Sequence, residues 1–366
     1  MRFTTQQSDF SAAISAVQKA LRPGALSAML DGIFVEVKEG KLRLMCTDMT
    51  LQIECFCTAD IEEEGGIVLP GRLFGELVRK LPEGEVQLAT NESFNANITA
   101  ERIKTSIQGV ASGNYPEMPP QPIATGFKIG SRQLKDMIRQ TRFAASTDES
   151  RPILMGVLFE AGELLRLVAI DGYRMAIREA QANIEGQGQA VIPSASLNAI
   201  ASTLIDSDDE VNVSFSGAIA TIDAGSTCIK TTLLSGEYMK YESIIPQDRL
   251  TRIRVNRREL AQAIERASLM ASETRNNLVK FNVAGEQLVI SANSELGSVE
   301  DILGIQQIGN DLEIAFNAKY MSDVLKALDE EEVYFDFNNN ISPCVIRSAA
   351  EGKFTYMILP VRLFAN

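Results

Sequence analysis

The sequence predicts an α+β fold made of three repeated domains, each with two helices packed on antiparallel sheets. Three observations predict it. The opening stretch MRFTTQQSDFSAAISAVQKA returns as GFKIGSRQLKDMIRQTRFAA (126–145) and as TRIRVNRRELAQAIERASLM (251–270). A strand–turn–strand segment follows each copy, and a second helical stretch follows that. Self-similarity at a near-constant offset marks a duplicated module.

The elements follow in order. In each copy an apolar residue (Phe3, Phe127 or Ile253) is followed seven positions later by Phe10, Leu134 or Leu260. Four further on comes Ile14, Ile138 or Ile264. Steps of seven and four keep the last two on one face of a helix entered from a short strand. The segments at 32–53, 156–177 and 279–299 alternate apolar and polar residues around short turns, as half-buried strands do. Asp48, Asp171 and Asn293 are expected at one equivalent turn. The second helix is counted from Pro70, Pro193 and Asn317. Apolar residues fall at +4 (Phe74, Leu197, Met321), +7 (Leu77, Ile200, Val324) and +11 (Leu81, Leu204, Leu328), a core-facing stripe. Two more strands and a loop close each unit: SGNYPEMPPQP after the first and SGEYMKYESIIPQD after the second. The predicted domains are 1–121, 126–248 and 251–366. Within each, the helices are expected to cover one sheet face while the other meets solvent.

Composition narrows the function. Of 366 residues, 45% are apolar and 23% charged, which suits a globular protein. No apolar run reaches membrane-spanning length, and MRFTTQQSDF lacks the apolar segment of a secretory signal, so the expected location is the cytoplasm. The chain has no histidine, which removes Ser-His-Asp and Cys-His catalysis and most zinc sites. Cys46, Cys55, Cys57, Cys228 and Cys344 make no CxxC pair and read as small buried apolar residues. No metal or cofactor is expected. A carboxylate enzyme would need two acidic residues converging in a cleft, and the repeat places none at a recurrent buried position.

Charge is segregated. The formal net charge is −13, yet the six helix windows together carry +8, leaving −21 for the remainder. On 131–142, Arg132, Lys135, Arg139 and Arg142 lie opposite the apolar face of Leu134, Met137, Ile138 and Thr141. Arg72 and Arg79 share the outer face of the second helix, and Lys319 and Lys326 occupy the same places in the third unit. The second unit has Ala195 and Ser202 there. Basic helix faces in an acidic protein suggest a segregated field, a plain solvated helix face being the other reading; the former fits helices that face a common axis. Six helices about 10 Å wide would enclose a hole of only about 9 Å, and twelve one of about 28 Å. Only the larger clears a B-form duplex, so a ring of this kind needs two chains.

The repeats, together with MRFT at the start, RPILMGVLFE (151–160), AIDGYRMAI (169–177) and YMILPVRL (356–363), resemble the bacterial DNA sliding clamp family, the beta subunits of DNA polymerase III. The resemblance spans essentially the whole chain. It implies a homodimeric ring (the DNA clamp fold) that encircles duplex DNA without reading its sequence and confers processivity. It implies no catalytic activity. The implied partners are a second copy of the chain, the polymerase III alpha subunit, a clamp loader, and other polymerases and repair proteins that dock by short linear motifs with Leu and Phe anchors. By position, the resemblance implies a peptide groove of Leu154, Ile170, Gly172, Tyr173, Arg174, Met175, Ile244, Pro343, Met357, Ile358, Leu359, Pro360, Val361 and Arg362. Burial in two sheets is the other reading of Ile170 and Ile358. For DNA contact it implies Arg22, Arg72, Arg79 and Arg151; the charge stripes add Arg132, Arg139, Lys319 and Lys326. For the dimer seam it implies Ile107 and Met270. Tyr173, Met239, Ser243 and Asn276 depart from residues common in the family, so groove shape is expected to differ. Phe364, Ala365 and Asn366 extend past the usual end and are expected near the groove. The alternative is a repeat scaffold that binds peptides without encircling DNA.

Overall fold

The computed structural model describes residues 1–22, 27, 29–119, 125–273, 277–348 and 354–362. Asn276 and the 364–366 tail, for which expectations were stated, lie outside the described residues. Six α-helices are formed among them: α1 (Gln7–Val17), α2 (Gly71–Arg79), α3 (Ser131–Arg142), α4 (Ser194–Thr203), α5 (Arg257–Ala271) and α6 (Ala318–Ala327). All six coincide with the predicted helices, although α1 begins at Gln7 and α5 runs on to Ala271. Their buried residues follow the apolar stripes, with one shift. On α2 Val78 is fully buried and Leu77 only half so, because the helix presents Gly71, Phe74, Gly75 and Val78 inward. Start signals differ by copy. Asn256 and Asn317 cap α5 and α6 by accepting from the backbone of Arg258 (3.0 Å) and Lys319 (2.9 Å), whereas α2 starts from Pro70 with no side-chain cap.

The chain divides into two compact units. The first comprises Met1–Lys135, Asn183–Gly186 and Ala195–Leu233; the second comprises Asp136–Ala182, Gln187–Ser194 and Leu234–Asn366. The first holds a five-stranded and a ten-stranded antiparallel sheet. Its core under α1 and α2 is aromatic: Phe10 meets Phe3 at 5.7 Å and Phe74 at 5.6 Å, edge to face. The second holds a nine-stranded and a four-stranded sheet, and Leu260, Ala263, Ile264 and Ala267 of α5 are fully buried.

Two units arise from three repeats because sheets are shared. Each repeat delivers its strands to two sheets, not to one. In the ten-stranded sheet, Leu51–Cys57 of the first repeat pairs with Thr227–Thr232 of the second, with Leu51 opposite Thr231, Ile53 opposite Ile229 and Cys55 opposite Thr227. In the nine-stranded sheet, Arg174–Ala180 of the second repeat pairs with Phe354–Ile358 of the third, with Arg174 opposite Ile358, Ala176 opposite Tyr356 and Arg178 opposite Phe354. The hairpin registers make Leu51, Arg174 and Gly297 equivalent, and likewise Thr105, Ile229 and Tyr356.

Those registers correct one expectation. The turn residue equivalent to Asp48 and Asp171 is Ser294, not Asn293. Asp48 Oδ1 accepts from Thr50 N at 2.8 Å and Asp171 Oδ1 from Tyr173 N at 2.8 Å, while Ser294 Oγ accepts from Leu296 N at 3.2 Å. A hydroxyl here does the work of a carboxylate, which simple matching of Asp with Asn misses.

The five- and four-stranded sheets alternate buried and exposed residues, as expected of a sheet with one face to solvent; part of the outer face of each larger sheet is covered instead. After the first repeat, Tyr115 covers Phe34, Met45 and Val68, and its hydroxyl donates to Gly32 O at 3.2 Å. After the second, Tyr238 covers the equivalent Leu158, Val168 and Val191, donating to Val168 O at 3.3 Å. The inter-repeat loops are lids, pinned by a tyrosine whose ring is buried and whose hydroxyl finds a carbonyl.

Candidate functional site

The second lid lies on a larger apolar floor than the first. Around Tyr238 and Tyr241, Leu154, Ile170, Met175 and Met357 join one buried cluster, with Ile153, Leu234 and Ile245 packed at its margin. The equivalents of Ile170, Met175 and Met357 at the junction of the first and second repeats are Thr47, Gln52 and Lys230. Gln52 there spends its carbonyl on Met118 N at 2.7 Å. One copy of the junction is therefore polar and self-satisfied, and the other is an apolar surface extending past its lid. That contrast places a candidate ligand groove in the second compact unit.

The rim comes from the end of the nine-stranded sheet. Tyr173 is 61% exposed and stacks on Tyr320 at 6.0 Å. Ile244 is exposed, and Pro343, Leu359, Pro360 and Val361 are half-buried. The chain beyond the last strand is held by two backbone bonds, Leu359 N to Tyr173 O and Val361 N to Ala315 O, both 2.8 Å. Arg362 is exposed. Ile358 is fully buried, and Ile170 nearly so; both are floor or core, with no face toward a ligand. Met239 and Ser243, on the lid, are exposed.

Arg174 organises the other end. Its guanidinium is buried yet fully engaged. Nε donates to Asp171 Oδ2 at 2.9 Å, one NH2 group to Asp323 Oδ2 at 2.6 Å, and the other to Phe143 O at 2.7 Å. It also lies over the rings of Tyr320 (4.5 Å) and Phe143 (5.4 Å). A charge so buried and so well paired fixes geometry rather than binding freely. Next to it opens a cavity of about 420 Å³ lined by Asp148, Arg151, Asp171, Gly172, Tyr173, Lys319 and Tyr320 among others. Gly172 has φ +94°, and a side chain there would approach the Arg151 guanidinium at 3.5 Å. Tyr320 and Asp323 were not anticipated as site residues. Part of their signal was available: both lie on α6, Asp323 one helical turn beyond Lys319 and Tyr320 next to it.

The lid tyrosines were also missed. Tyr241 donates to Glu160 Oε2 at 2.5 Å and accepts from Arg166 at 3.0 Å, and burial pushes its hydroxyl pKa up, as it does for Tyr238. The signal the two lids share is one tyrosine at the same place in each loop, Tyr115 in SGNY and Tyr238 in SGEY.

The basic residues separate into three groups. Arg22, Arg79 and Lys326 are exposed and make no ion pair among the described residues. Arg72, Arg132 and Arg139 are exposed but locally paired: Arg72 with Glu76 at 3.0 Å, Arg132 with Asp206 at 2.7 Å, and Arg139 with Asp329 and Asp136. Arg151 and Lys319 line the cavity beside Arg174. The helix stripes thus carry less free positive charge than residue counting suggests, because neighbouring turns supply carboxylates.

Ile107 and Met270 lie at sheet edges. Ile107 is buried within the terminal strand Ile103–Gln108 of the five-stranded sheet. Met270 is half-buried against the hairpin that ends the four-stranded sheet, its Sδ 3.7 Å from Ser294 Oγ.

Comparisons with known proteins cover the chain from end to end. Residues 1–119, 128–240 and 242–362 match, in turn, the families described as DNA polymerase III beta subunit N-terminal, central and C-terminal domains. The beta sliding clamp of Staphylococcus epidermidis is 32% identical over 377 residues, with 100% of each chain covered. Among solved structures, the DNA polymerase sliding clamp from Bacillus subtilis is similar at 33% identity and a TM-score of 0.94, with 100% of each chain covered. The DNA polymerase III beta subunit from Thermotoga maritima is similar at 27% identity and a TM-score of 0.93, covering 99% of this chain and 100% of that one.

Proposed function

The chain belongs to the bacterial DNA polymerase III beta subunit family, the sliding clamps, with three domains of the clamp fold, and on that premise we propose that it closes as a head-to-tail homodimer around duplex DNA and tethers proteins to it. One observation carries the ring. The two junctions inside the chain pair equivalent strands in one register. The third strand of each kind, Ile103–Gln108 and Gly297–Gly304, ends its sheet unpaired among the described residues. Residues buried at the internal junctions, Leu51, Ile53 and Cys55, correspond to Gly297, Val299 and Asp301, which are exposed or half-exposed. Open edges of this kind recruit another strand.

Repeating the internal register between two copies sets Ile107 opposite the partner's Gly297, Thr105 opposite the partner's Val299 and Lys104 opposite the partner's Glu300. Gly297 has no side chain and lies against Met270, so Ile107 of one copy would reach Met270 of the other. Two such seams, related by a twofold axis, close the ring. Twelve helices then line a hole of about 28 Å. Arg22, Arg79 and Lys326 provide its free cations, with Arg72, Arg132, Arg139, Arg151 and Lys319 weaker contributors. Loose phosphate attraction suffices, because enclosure and not affinity prevents escape, and loose contact permits sliding.

The groove over Met175 and Met357 docks short linear motifs of the polymerase alpha subunit, the clamp loader and repair proteins. Leu154 and Ile170 pack with that floor and Ile358 backs it from the opposite sheet face; Gly172, Tyr173, Arg174, Ile244, Pro343, Leu359, Pro360, Val361 and Arg362 form its rim. The chain acts in the cytoplasm as a processivity factor and does no chemistry of its own. Loading onto a nicked circular plasmid with a matching loader tests the whole reading. Retention on the circle and loss on linearisation are expected. Equal retention on both forms would replace the clamp with an ordinary DNA binder, and no retention on either would leave a peptide scaffold.

A further inference from the structure

A second pocket lies on the groove's own sheet face. Residues directly opposite one another in antiparallel strands point to the same side. The registers Met175–Met357, Met357–Val345, Val345–Asp336 and Asp336–Arg252 therefore make one row across the nine-stranded sheet. The row runs from the apolar floor into a cavity of about 250 Å³ lined by Arg249, Arg252, Asp336, Val345, Arg347 and Asp248, among others.

Three arginines converge there on one buried aspartate. Arg252 grips Asp336 through two bonds of 2.5 and 2.7 Å. That geometry satisfies the carboxylate. Arg347 and Arg249 reach it only at 3.4 and 3.9 Å, and Arg249 is 54% exposed. With Asp248 counted, the pocket keeps a net charge of +1, and its two outer guanidiniums have donors to spare. Lid and pocket are continuous in the chain: Ile245 packs on the apolar cluster, and Pro246 lines the pocket.

We propose that Arg249 and Arg347 receive the carboxylate of an acidic residue in the peptide whose apolar anchor occupies the Met175–Met357 floor. This rests on the groove reading above and adds a specificity element to it. Two to three strand spacings separate Met357 from Asp336 and Arg252, about 10–14 Å, which an extended peptide crosses in three to four residues. Charge complementarity selects the occupant. A carboxylate matches the planar fork of arginine, and the half-open pocket weakens screening without demanding full desolvation.

The test uses the full chain and fluorescein-labelled peptides with a Leu-Phe anchor. Each carries Glu or Gln four residues before or four residues after the anchor, and binding is read by anisotropy. One Glu peptide is expected to bind roughly fivefold tighter than its Gln twin, an advantage that fades at high salt. The advantage should vanish in the Arg249→Gln/Arg347→Gln double variant, whose Gln-peptide affinity stays at the wild-type value. The Arg252–Asp336 pair is left intact so that the sheet folds, and an unchanged melting temperature verifies this. Equal affinity of Glu and Gln peptides, or an advantage that survives the double variant, overturns the proposal while the groove stands. Failure of every peptide to bind overturns the groove and the proposal together. Competition for the Glu peptide by duplex DNA at the intact pocket, lost in the double variant, overturns it in favour of a phosphate site.

Discussion

Reversing the charge of Lys104 tests the seam. Both Lys104 and Glu300 are exposed in the single chain, on strands that end their sheets, so changing either leaves the protomer's packing untouched. If the proposed seam repeats the register of the internal junctions, they face each other across it. An exposed cross-strand pair of opposite charges contributes about 0.2–1 kcal/mol, and like charges cost a similar amount. Lys104→Glu removes the first and adds the second, about 0.4–2 kcal/mol per seam on those values. A closed dimer has two seams, so the penalty on dissociation is about 1–4 kcal/mol, or roughly 5- to 1000-fold in Kd. Sedimentation velocity over a dilution series reads it directly. Glu300→Lys should weaken the dimer to the same degree, and the double reversal should restore it. Both single effects should shrink in high salt. A Kd unmoved by either single change, or a double variant as weak as the singles, would refute the transferred register.

Met270→Arg should weaken dimerisation with little change in the protomer's melting temperature, because Met270 is only half-buried; sedimentation and melting together decide this. Ile107→Arg should lower both, since Ile107 is already buried against its own sheet, and a melting temperature equal to wild type would contradict that placement. Arg174→Ala leaves Asp171 and Asp323 without their shared counter-ion, a loss of about 3 kcal/mol. A clear drop in melting temperature, together with loss of anchor-peptide binding, should follow. Burial raises the hydroxyl pKa of Tyr115, Tyr238 and Tyr356. The unfolded chain releases these protons near pH 10 while the folded chain keeps them, so stability falls as pH climbs above about 10, by up to about 1.4 kcal/mol per pH unit for each tyrosine. Melting temperatures at pH 9 and pH 10.5 should therefore diverge, and Tyr238→Phe should narrow the gap.

The sequence by itself determined the triplication, the six helices and their buried faces, because hydrophobic spacing is local and each copy repeats it. The absence of histidine and the basic helix stripes were equally plain from residues alone. Tertiary structure decided what depends on pairing at a distance. Sheets cross repeat boundaries, so three repeats form two compact units, and only the registers reveal that Ser294 stands in for Asp48 and Asp171. Asp206 and Asp329, distant in sequence, neutralise Arg132 and Arg139, which no helical wheel can show. The apolar floor exists at one junction and not its twin because Ile170, Met175 and Met357 meet across strands more than 180 residues apart, where the other copy sets Thr47, Gln52 and Lys230. Local periodicity says which way a side chain points; the partner it meets there is set by strand register, and that is a property of the folded sheet.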